Sequence, residues 1–118
     1  MSKPIVFGAL LWACLSAPVW AQDKPFAPGG PTVSLAATGT TGSVQVQSAA
    51  SSTAMRIYNA GTVVVFVACG TSGVVATLAA GMPIAPGTVE VVGCNQTYVA
   101  GITAGTAATV YLTPGNGL

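Results

Sequence analysis

The run Ala54-Met55-Arg56-Ile57-Tyr58-Asn59-Ala60-Gly61-Thr62-Val63-Val64-Val65-Phe66-Val67-Ala68-Cys69 changes character halfway along. In its first half Met55 and Ile57 alternate with Arg56 and Tyr58, the period of a strand with one face in a core and the other in water. Asn59-Ala60-Gly61 then supplies turn chemistry. From Val63 to Ala68 every residue is apolar, which requires cover on both sides by a second sheet, a loop or another subunit. A half-buried strand, a turn and a doubly covered strand in succession describe an all-β chain folded in two layers.

The same grammar extends in both directions. Short β-prone runs recur between Gly, Pro, Asn and Ser, which predicts strands at Thr32–Ala37, Ser43–Gln47, Ala54–Asn59, Thr62–Cys69, Val74–Leu78, Thr88–Val92, Thr97–Ile102 and Ala108–Thr113. Val44 and Val46 alternate with Gln45 and Gln47, so that strand too turns one face to water. No segment has the length and period of a helix. The expected fold is a small antiparallel β-sandwich or jelly-roll-like domain over 32–118. Gly-Thr recurs at 39, 61, 70, 87 and 105, but the intervals are uneven, so it reads as turn punctuation rather than an internal repeat.

Composition excludes more than it identifies. The 118 residues include no histidine, only 4% are charged, and 52% are hydrophobic, enough for one core. Beyond Asp23 and Lys24 the only acid is Glu90 and the only base Arg56. Acid–base, metal-assisted and phosphate-handling chemistry need side chains that titrate, ligate or carry charge, so no catalytic, cofactor or metal residue is assigned and a non-enzyme is expected. A net charge of +1 offers no basic face for nucleic acid or an anionic membrane. A nearly neutral surface of Thr, Ser, Gln and Ala favours association, so the protein is expected to live packed against something, and a homo-oligomer is expected.

The first 21 residues read as an address. Met1-Ser2-Lys3 is a short positive start, Ile5 to Ala17 an apolar stretch, and Val19-Trp20-Ala21 a small-x-small cleavage pattern before Gln22. A secretory signal peptide is the expectation, and the alternative is an uncleaved hydrophobic arm docked on a partner. The stretch is short for a stable membrane span, and Trp12 ahead of Cys14 does not suit lipid attachment. Residues 22–31, with Pro25, Pro28, Pro31 and Gly29-Gly30, should form an extended arm.

Two cysteines follow the leader. In an exported chain Cys69 and Cys94 are expected to form a disulfide, with two buried free thiols as the alternative in a cytoplasmic one. A zinc site would have too few ligands and a catalytic thiol would lack its base. Arg56 and Glu90 are candidates for a cross-strand ion pair, or Arg56 for a binding spot. Arg56, Tyr58, Tyr98 and Tyr111 are the candidate partner contacts, and the tyrosines form an aromatic platform only if they converge on one face. Asn95-Gln96-Thr97 fits the N-glycosylation pattern, which matters only in a eukaryotic secretory route.

Three further segments carry a family resemblance: Arg56-Ile57-Tyr58-Asn59-Ala60-Gly61, Met82-Pro83-Ile84-Ala85-Pro86-Gly87-Thr88-Val89-Glu90 and Thr113-Pro114-Gly115-Asn116-Gly117-Leu118. Over roughly residues 54 to 118 this order resembles small proteins of tailed phages and prophages. The resemblance implies a jelly-roll-like accessory virion protein that decorates or cements a capsid, with no catalytic residues to carry over. It implies a major capsid protein as partner and the virion surface as location; the leader, if it is a signal, implies a secreted or periplasmic one. In that second setting the same domain is expected to be a surface binding module for glycan or a cell-surface ligand.

Overall fold

The computed structural model describes residues 25–117. The leader 1–21, Cys14 within it and the first residues of the arm lie outside the described residues. Nine strands follow in chain order: β1 (Ala27–Pro28), β2 (Val33–Ala37), β3 (Gly42–Gln45), β4 (Ala54–Asn59), β5 (Val65–Gly70), β6 (Met82–Ile84), β7 (Val89–Gly93), β8 (Tyr98–Ile102) and β9 (Ala108–Asn116). No helix occurs among the described residues.

The pairing is nested. β2 pairs with β9, β3 with β8, β4 with β7 and β5 with β6, all antiparallel, as though the chain were one long hairpin closed at β5–β6. Rolling that hairpin brings β4 beside β9 and β5 beside β8, giving a five-stranded sheet in which β9 lies between β1 and β2 on one side and β4 on the other, with β7 beyond β4. The second sheet runs β3-β8-β5-β6. Two four-stranded layers built this way are a jelly roll, with β1 added as a short extension beside β2.

Strand periodicity decides what each sheet buries. Leu35, Met55, Ile57, Val110 and Leu112 of the five-stranded sheet face Val65, Val67, Ile84 and Val99 of the other, and all are buried in one core. Gly101 points into the same layer, where an added Cβ would stand 2.9 Å from Leu35 Cδ2. Cys69, inward on β5, is bonded to Cys94, just past β7, with their Cα atoms 6.1 Å apart, so the expected disulfide joins the two sheets.

The turns are of two kinds. Ala85-Pro86-Gly87-Thr88 closes with Thr88 N donating to Ala85 O at 3.3 Å, and Gly87 supplies the positive φ of 71° that follows a Pro at the preceding corner. The reversal after β4 works differently, because Gly61 has no positive φ and its N–H donates to the Asn59 side chain at 2.9 Å. A side chain, rather than backbone tolerance, shapes that turn.

Several expected boundaries move. The strand expected at Thr62–Cys69 begins only at Val65, because Asn59 holds the Val63 carbonyl in the turn at 2.9 Å. The strand expected at Val74–Leu78 does not form. That segment lies over the outer face of the second sheet, where Val74 packs on Gly70 and Ala76 N donates to Thr41 Oγ1 at 2.9 Å. It covers only part of the outer side of the apolar Val63–Ala68 run, where Val64 stays exposed, while Ala100, outward on β8 opposite Ala68, is fully buried. Met82–Ile84 pairs instead as the edge strand β6, a place that tolerates Pro83. β9 continues to Asn116, three residues past its expected end at Thr113.

Pro114 inside that extension is accommodated by direction. Its carbonyl accepts from Gly29 N at 2.8 Å on the arm side, so the N–H it lacks would point the same way, into the break between β1 and β2. The ladder to β4 loses nothing.

Candidate functional site

The outer face of the five-stranded sheet gathers the candidate contacts. Antiparallel partners share a face, so register reads out its rows directly. Val89, Tyr58, Tyr111 and Ser34 form one row across β7, β4, β9 and β2. Val91, Arg56 and Thr113 form the next, and Thr113 Oγ1 lies 2.7 Å from Thr32 Oγ1. Because Met55 and Ile57 are committed to the core, Arg56 and Tyr58 must emerge between them.

Tyr58 and Tyr111 stack at the centre of this face, ring centroids 6.2 Å apart and planes 16° from parallel. Tyr111 stays 41% exposed and Val89 at the sheet edge 42%. The rings are nearly parallel, and Tyr111 keeps much of its surface open to solvent. Arg56 stands beside them, exposed, with the hydroxyls of the threonine pair across β9. The result is a broad, nearly uncharged plane with one cation and two amphipathic aromatics.

The other candidates fall elsewhere. Tyr98 is outward on β8, in the opposite sheet, so the three tyrosines do not converge. Glu90 does not meet Arg56, because register sets it opposite Ile57 and therefore on the other side of the strand plane. The expected cross-strand ion pair is replaced by a Val91–Arg56 neighbour pair. Asn95 is exposed just after Cys94, so its acceptor pattern sits on the surface. Cys69 and Cys94 are consumed by their bond.

Val89 and Val91 were not among the sequence candidates, although the alternation of Val89-Glu90-Val91 already held the signal. What was missing was the register that places them beside Tyr58 and Arg56. Among the described residues no three Cys, Asp, Glu or His side chains converge as metal ligands, and no helix is long and apolar enough to cross a membrane. The grooves are open and shallow; one of about 450 Å³ is lined by Val63, Val64, Phe66, Ala104, Gly105 and Thr106, offering a single hydroxyl. No protein-family model matches the chain, and no curated protein or solved structure matches it.

Proposed function

We propose that the chain is a non-catalytic structural protein that binds a repeating protein lattice, of the kind a phage capsid presents, through the outer face of its five-stranded sheet. The observation that carries this reading is the stacked Tyr58–Tyr111 pair beside exposed Arg56 at the centre of a neutral plane. Tyr and Arg dominate the energetics of protein interfaces, while Lys and Glu are depleted there. Covering Val, Thr and Ser surface avoids the desolvation penalty that a charged face would impose. A standard interface covers about 800 Å² on each partner, within reach of a sheet of this size. The three segments resembling phage accessory proteins point to a major capsid protein as the lattice and to the virion surface as location.

Copurification tests it. The protein, coexpressed with the capsid protein of the phage genome that encodes it, is expected to sediment with the particles in fixed stoichiometry. Y58A/Y111A should release it and Y98A should not. Particles that never retain the protein, or retain both variants equally, would overturn the reading.

The exposed ring of Tyr111 supports a second reading, a secreted or periplasmic module that binds glycan. Sugar sites are usually concave with converging polar groups, whereas Tyr111 lies on the flat outer face of a sheet, which favours the first reading. Glycan-array binding lost in Y111A would reverse that preference.

A further inference from the structure

The seat of the N-terminal arm is shaped by glycine. Ala27 and Pro28 lie in register with Asn116 and Gly115, and Gly29 N donates to Pro114 O at 2.8 Å. A Cβ on Gly115 would strike the Ala27 carbonyl and stand 2.6 Å from Phe26 Cζ. One on Gly117, whose φ is +113°, would strike the Pro25 carbonyl. The position of Asn116 between them is set by Thr53, whose N–H and hydroxyl donate to Asn116 Oδ1 at 3.1 and 2.9 Å. The tail Gly115-Asn116-Gly117 therefore has room for no more than a chain lying directly on it, and Pro25-Phe26-Ala27-Pro28 is that chain.

The link between this arm and the body is built to move. β2 is fixed by five register pairs running from Val33 to Ala37, whereas β1 has two. Between them stand Gly29 and Gly30, which accept wide changes of φ and ψ, and Pro31, which has no N–H to lose. A groove of about 310 Å³ opens beside this link, bounded by Gly29, Gly30, Pro31, Gln47, Ser51 and Pro114, while Gly29 is held at the arm end by the Pro114 carbonyl.

We propose that the arm is exchanged between two copies of this chain, Pro25–Pro28 of each lying on the Gly115–Gly117 seat of the other. Exchange re-forms the same contacts in trans, so closed and swapped states differ mainly in the entropy of association, and a concentrated protein moves to the swapped state. Reciprocal exchange leaves no seat empty and closes as a two-fold dimer. With a net charge of only +1, little repulsion holds two copies apart. The inference does not rest on the lattice reading, because both arm and seat belong to this chain.

The test is a cross-link with its origin labelled. The full chain carrying Phe26→p-azidophenylalanine is mixed with isotope-labelled wild-type protein, concentrated, irradiated and digested. Light arm peptides joined to heavy peptides containing Gly115–Gly117 are expected, in a proportion that rises with concentration. Wild-type protein should move from monomer to dimer by light scattering over the same range, and G115A, which fills the seat, should stay monomeric. Light-to-light cross-links alone at every concentration would overturn the proposal, as would a dimer that persists in G115A. Since no capsid protein is present, either failure leaves the lattice reading where it stood.

Discussion

Asn59 at the end of β4 donates its side-chain amide to the carbonyl of Ile84 on β6, in the opposite sheet, at 2.9 Å. The same amide nitrogen donates to Val63 O, the side-chain oxygen accepts from Gly61 N, and the backbone carbonyl accepts from Gly87 N at 2.8 Å. Both residues are fully buried. One polar side chain thus ties the two sheets at the end of the sandwich that the Cys69–Cys94 bond does not reach.

Asn59→Ala should destabilise the fold by about 2 to 4 kcal/mol, because it strands the buried Ile84 carbonyl together with the part-buried Val63 carbonyl and Gly61 N–H. Asn59→Asp should cost at least as much, since a carboxylate cannot donate to either carbonyl. Urea denaturation followed by near-ultraviolet circular dichroism measures both. A loss within a few tenths of a kcal/mol would show that the turn is held by something else.

Removing the disulfide should lower stability by about 3 to 4 kcal/mol on the loop-entropy account, given the 25-residue separation of its ends. Comparing C69A/C94A with the oxidised protein by chemical denaturation gives the difference. An unchanged midpoint would mean that the bond adds nothing to a core already closed.

Gly101→Ala drives a methyl to within 2.9 Å of Leu35 Cδ2 and should cost about 1 to 3 kcal/mol by overpacking. Gly42 and Gly73 have nothing within 4 Å of an added Cβ, so alanine at either should be neutral or slightly stabilising. Equal effects at the three positions would contradict the placement of Gly101 in the core layer.

Between Thr32 and Gly117 the only charged side chains are Arg56 and Glu90, and register keeps them on opposite sides of the sheet. Stability should therefore be almost independent of sodium chloride up to about 1 M, where charges are screened within ~3 Å. A thermal midpoint that falls steeply with salt would reveal an ionic contact involving the leader or the arm.

Much of this fold was legible because alternation is local. β4 falls at Ala54–Asn59 as its pattern requires, and β2, β3, β7 and β8 begin within one residue of expectation. The failures share a physical cause. A run such as Val74–Leu78 can rest on a sheet face through Val74 and Ala76 while Val75 and Leu78 stay exposed, without a partner strand, and composition does not separate the two outcomes. Met82-Pro83-Ile84 is short and contains proline, yet an edge position accepts it. At the contact face, Arg56 and Tyr58 were visible as the wet side of β4, while the company they keep depends on register across four strands. That is non-local information, and it separated Tyr98 from Tyr58 and Glu90 from Arg56.

The nested order of pairing also governs how the chain can be made. A ribosome reads β2 long before its neighbour β9, so the first long strand waits for the last. Only the innermost hairpin, β5 with β6, can close early, and each later strand must find a progressively more distant partner. Such closure is slow, because distant segments must meet before any contact rewards them. A transcript cut short before residue 108 leaves β2 and β4 without the strand that lies between them. Synthesis is thus finished before folding can be, and β1 and β2 are the strands that wait longest for their shared partner.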